Sequence, residues 1–166
     1  MHAIATTPGA DHGIARTNLA MPLLGIIIGC ADLALAAAWW MPHGTSPIRI
    51  PQSIAAWVMG PALAHAGGVK SAVLGLAFYC VLTTFMVALY SALSRHYLIM
   101  LRHPFVGGGF YGAVMYLAIF EVAVPLWSLA PVRIEPAAWT ATCVFAYVFM
   151  IGIPCALFAR LQLAQE

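Results

Sequence analysis

The chain has 166 residues, 63% of them apolar and only 7% charged, with a formal net charge of +2. A soluble globular domain carries about a quarter charged residues, so that class is excluded. No basic stripe is present to bind nucleic acid. The length fits one small membrane domain and leaves no room for a second folded unit.

Residues 1–19 are polar and aperiodic and read as a flexible tail. The run AMPLLGIIIGCADLALAAAWWM over residues 20–41 is long and apolar enough to cross a bilayer. A cleaved signal peptide is the alternative, with Arg16 as its basic region and small residues near Leu35–Ala38. The run outlasts a signal core and ends on Trp39 and Trp40, an interfacial anchor pair, which favours a span. Asp32 stands near its middle, where an acid is costly unless partnered. Gly25, Gly29, Asp32 and Ala36 recur at spacings of three and four. That small-residue face admits a neighbouring helix and turns the acid toward protein.

Between this span and the next, residues 51–60 (PQSIAAWVMG) begin on proline and stop at Gly60-Pro61. Ile54, Trp57, Val58 and Pro61 fall on one helical face, which suits a short interfacial or re-entrant helix. A second span covers about residues 71–93 and carries Tyr79, Thr83 and Tyr90 on one face, a stripe suited to interhelical hydrogen bonds. The connection from Ser94 to Pro104 holds Arg95, His96, Arg102 and His103, and contact with anionic lipid is its expected role.

A third span, about 105–128, contains Gly108 and Gly112 as a second GxxxG pair. Glu121 falls on the opposite face, leaving the glycines for another helix or another subunit. Pro125 removes a hydrogen bond to the Glu121 carbonyl, so a kink is expected beside that acid. A fourth span, about 136–160, carries Trp139, Cys143 and Tyr147 at intervals of four and a Gly152-x-Pro154 break. Residues 161–166 read as a short polar tail. The expected fold is therefore all-α and polytopic, with four transmembrane helices in a single domain over 20–160 and one short interfacial helix.

Four spans put both termini on one side. Arg16, Arg95, Arg102 and Arg160 then oppose Arg49, Lys70 and Arg133, a small bias toward cytoplasmic termini. All five tryptophans (39, 40, 57, 127 and 139) fall at the other face, which supports the span count.

Several short motifs stand in a familiar order: Asp32 after Gly29, Pro51-Gln52-Ser53-Ile54-Ala55, Gly60-Pro61, Gly67-Gly68, Leu74-Gly75-Leu76, Tyr111-Gly112 and Val124-Pro125-Leu126. On these the chain resembles small bacterial four-span inner-membrane proteins, generally uncharacterised, and is distantly similar to the YagU-like proteins. The resemblance covers about residues 25–160 and implies the architecture and an inner-membrane location, with no activity to carry over. It also implies a histidine where Tyr79 stands and an asparagine at or next to Glu121. Both are departures here.

Helices 1 and 3 run the same way, so Asp32 and Glu121 lie at similar depth. Two carboxyls sharing such a site cannot easily both be ionised. Tyr79, Thr83, Tyr90 and Tyr147 are the candidate polar partners of this protonatable pair. Cys30, Cys80, Cys143 and Cys155 lie in apolar runs without CxxC or zinc spacing and read as packing residues. With no phosphate loop, metal triad or nucleophile elbow, neither enzyme activity nor a cofactor or metal is expected. The leading expectation is an accessory or structural subunit. It would pack in the bilayer through its glycine faces, as a homodimer or within a larger complex. The alternative is a proton-coupled transporter or channel for a small solute, using Asp32 and Glu121.

Overall fold

The computed structural model describes residues 10–97, 99–131 and 135–164, with side chains from residue 19 onward. The start of the expected N-terminal tail, and Arg133, lie outside the described residues. Four helices are long and apolar enough to cross a membrane: Leu19–His43, Gly68–His96, Pro104–Trp127 and Ala137–Leu163. The described chain is otherwise short helices and turns, without a strand. It is an all-α polytopic protein.

Both expected tails are shorter than the sequence suggested. The first helix begins at Ala10 and passes through Pro22. Once a helix is nucleated, each added residue costs little, so it propagates into polar sequence. At the other end the helix continues to Leu163. Its small face of Cys155, Ala156 and Ala159 carries on to a buried Gln162.

The spans pack as two pairs, first on second and third on fourth, and the second also packs on Ile153–Leu163 of the fourth. Glycine sets each pair. A methyl on Gly25 would overlap Thr84, and one on Gly29 would come within 2.8 Å of the Thr83 hydroxyl. Thr83 uses this closeness to donate to the Gly25 carbonyl at 2.7 Å. In the other pair, Gly108 faces Gly152, and Gly112 faces the Tyr147 carbonyl. Of the two partners expected for the Gly108–Gly112 face, another helix or another subunit, the structure supplies the helix, within the chain. Association without a hydrophobic driving force depends on such close van der Waals contact.

Neither proline interrupts its helix. The expected break at Gly152–Pro154 does not occur, because the fourth helix takes a wide π turn over Tyr147–Gly152. A second π turn, Leu117–Ala123, precedes Pro125 and contains Glu121. At their ends the Val124 amide bonds the Ile119 carbonyl and the Ile153 amide bonds the Val148 carbonyl, both five residues back. A proline lacks an N–H and crowds the carbonyl four residues earlier, and the wider register accommodates both defects.

Between the first two spans, a helix over Arg49–Met59 lies across the second span. Of the expected apolar face, Ile54 is buried, Trp57 half-buried and Val58 54% exposed. The buried face is shifted to Ile50, Gln52, Ile54, Ala55 and Ala56, because the helix rests on protein. Gln52 donates to the Gly68 carbonyl at 2.9 Å and to Ser71 at 3.3 Å. At the crossing the Pro51 carbonyl sits against Gly75, where a methyl would overlap it. Gly75→Ala should therefore cost about 1–3 kcal/mol through overpacking. Gly109→Ala, whose methyl would meet only Val148 at 3.5 Å, should be near neutral. Thermal unfolding of the two variants in detergent compares them directly.

Candidate functional site

Asp32 comes from the middle of the first span, turned inward by the glycine face that docks on the second. Tyr79, fully buried on the second span, donates its hydroxyl to Asp32 Oδ2 at 2.5 Å. The buried Tyr147, in the π turn of the fourth span, lies 3.4 Å away, hydroxyl to hydroxyl with Tyr79. A carboxyl and two phenols thus form a chain across three helices. Asp32 Oδ1 has no hydrogen-bond partner among the described residues.

This chain forms the floor of a cavity of about 890 Å³. All four spans and the Arg49–Met59 helix contribute to its walls. Trp40 stands eight residues beyond Asp32, so the floor lies about 12 Å below the tryptophan level at helical rise. Trp39 and Trp40 meet Trp139 at ring distances of 5.7 and 5.5 Å, joining the first and fourth spans at one side of the mouth. Opposite, Trp57 packs edge-on against Phe120 at 5.9 Å, and its carbonyl accepts the Leu129 amide at 2.9 Å. The helix over Arg49–Met59 is thereby fixed as a partial roof.

Inward of Asp32 the bundle is filled. Ile28, Met86, Val87, Tyr90, Tyr111, Ile151 and Cys155 form one buried cluster. Tyr111 ties the third span to the second by donating to the Met86 carbonyl at 2.7 Å. The cavity extends from Asp32 to the level of Trp40, Thr45 and Trp139, while the core below Asp32 is packed, which does not amount to a pore.

Four candidate polar partners were read from the sequence, and they separate here. Tyr79 bonds the acid, and Tyr147 reaches it through Tyr79. Thr83 bonds backbone instead, and Tyr90 donates to the Met100 carbonyl at 3.3 Å near the opposite face. Glu121 lines the same vestibule but is exposed, and among the described residues no hydrogen bond links it to Asp32. Ala36 lines the wall between the floor and Trp40, while Gly25, Gly29, Gly108 and Gly112 serve packing. Arg49, His65 and Glu135 also line the vestibule. They were not singled out by sequence because connecting segments give no periodicity to orient them. No group of three His, Cys, Asp or Glu among the described residues could hold a metal ion.

Tyr79 is the direct donor, so Tyr79→Phe should cost about 1–2 kcal/mol, the upper range for interhelical hydrogen bonds in membranes. Tyr147→Phe, at a longer contact, should cost less than about 1 kcal/mol. A double-mutant cycle of Tyr79→Phe with Asp32→Asn should show coupling, and additive effects would break the pairing.

The fold and site define an integral membrane protein class: a four-helix polytopic bundle with an internal cavity that reaches a carboxyl at mid-span. Searches with the chain match no family model, no curated protein and no solved structure.

Proposed function

We propose that the chain is a membrane transport protein that admits a small solute to Asp32 from the tryptophan face, with proton exchange at that carboxyl. The observation that carries this reading is the vestibule, whose floor is an acid at mid-span with one oxygen unpaired. An ionisable group inside a membrane bundle points to a substrate or proton path. The closed lower half implies a conformational change for passage, and the two π turns flank the site where helices can yield. The reading is non-catalytic.

An accessory-subunit role rests on spare glycine faces and on the lack of a catalytic set, and the first of these grounds is weaker because those faces pack within the chain. Membership among small bacterial inner-membrane proteins of YagU-like type, with cytoplasmic termini, belongs to the same proposal. On that orientation the vestibule faces away from the cytoplasm.

Proton flux in vesicles reconstituted with the protein tests the reading. Flux should exceed that of empty vesicles and fall in Asp32→Asn. Equal flux in the variant would remove the proposal.

A further inference from the structure

The vestibule's lining also selects among solutes. Among the described residues, three carboxyls line it, from Asp32, Glu121 and Glu135, with the Arg49 guanidinium and the His65 imidazole. A low-dielectric cleft lined mainly by one sign of charge concentrates the opposite sign. Its aromatic rings are arranged in two tiers. Trp40 and Trp139 stand at the mouth in edge-to-face contact, and Tyr79, Tyr116 and Tyr147 surround the floor. Tyr116 and Tyr147 meet edge to face at 5.7 Å.

Small inorganic cations need several oxygen ligands at short range, and at the base of a cavity of about 890 Å³ Asp32 is the one carboxyl, with one oxygen already held by Tyr79. That volume falls within the range of sites for drug-sized molecules. Ring faces attract cations whose charge is spread over an apolar body. On these grounds, and resting on the transport reading above, we infer that the vestibule binds a bulky organic cation. Its charge pairs with Asp32 Oδ1 and its apolar groups lie against Trp40 and Trp139, half-buried rings of the lining. Tyr79 holds Oδ2 and so directs the free oxygen of Asp32 to the ligand. Asp32 then carries either a proton or the cation, so the two compete for it.

The test uses the full chain in phosphatidylcholine nanodiscs with two ions of one shape and opposite charge, tetraphenylphosphonium and tetraphenylborate. Trp40, Trp57 and Trp139 supply an intrinsic fluorescence signal at the site. Tetraphenylphosphonium should quench it saturably beyond its effect on tryptophan in solution, and tetraphenylborate should not. Asp32→Asn should weaken phosphonium binding at least tenfold, and Glu121→Gln should weaken it a fewfold. The Glu121 variant keeps the test open if Asp32→Asn does not fold. Equal binding of both ions, or phosphonium binding unaffected by both substitutions, overturns the inference. Binding of neither ion also overturns it, and labelling of Ala36→Cys by an impermeant thiol reagent then shows what else falls. Labelled vestibule means the wrong solute class; an unlabelled one removes the transport reading too.

Discussion

Gly112→Val is expected to prevent the third and fourth spans from docking and to leave the protein misassembled. Any Cβ at Gly112 overlaps the Tyr147 carbonyl, with Val148 Cα only 2.8 Å away. Backbone cannot swing aside as a flexible side chain could, so the helices must separate. Separation also strips Gly108 from Gly152, whose carbonyl lies 2.6 Å from a Cβ built at Gly108. Overpacking of an ordinary core site costs about 1–3 kcal/mol, occasionally more, and this site lies at the severe end. Folded proteins hold only about 5–15 kcal/mol in reserve, so a large part of the stability is lost. Size-exclusion profiles in mild detergent should show aggregation or a strongly lowered Tm. A well-folded Gly112→Val protein would mean that the two spans do not cross at this glycine.

Among substitutions that preserve the fold, Asp32→Asn should have the largest effect on transport. Asparagine keeps the volume and still accepts from Tyr79, so the bundle should assemble. It cannot take up and release a proton, and it cannot pair with a cation. Loss of a hydrogen bond to a charged group is worth about 1.5–3 kcal/mol, roughly ten- to a hundredfold in rate or affinity. Tyr79→Phe should reduce transport less, because it loosens Asp32 without removing it. Glu121→Gln should reduce it least, since Glu121 is exposed on the wall and makes no hydrogen bond to Asp32 among the described residues. Flux measured across the three variants in vesicles should follow that order. A Glu121→Gln effect larger than that of Asp32→Asn would move the site from the floor to the wall.

The four spans were legible because their apolar runs exceed the thickness of a bilayer core, and the tryptophans marked one common face. The inward turn of Asp32 was legible too, since Gly25 and Gly29 leave little choice about which face a neighbouring helix approaches. Which helix accepts which was not. Gly108 and Gly112 carry no label for their partner, and Gly152, beside a proline, looked like a break rather than the other half of the contact. The π turns escaped for a related reason: a proline announces a lost hydrogen bond without saying how the backbone accommodates it. Thr83 and Tyr90 share a helical face with Tyr79, yet only depth along the bundle decides which hydroxyl meets the acid. Gln52 was passed over because its value depends on Ser71 and Gly68, which fold back on it from the next helix.

Whether Asp32 is the floor of a vestibule reached from one face can be measured by thiol accessibility in oriented vesicles. Ala36→Cys lines the wall between Asp32 and Trp40, and Ile28→Cys occupies the buried cluster one turn inward of Asp32. Against the background of the native cysteines, a charged membrane-impermeant reagent applied from the tryptophan face should label Ala36→Cys. Applied from either face it should leave Ile28→Cys unmodified. Labelling of Ile28→Cys, or labelling of Ala36→Cys only from the opposite face, would contradict a one-sided vestibule ending at Asp32.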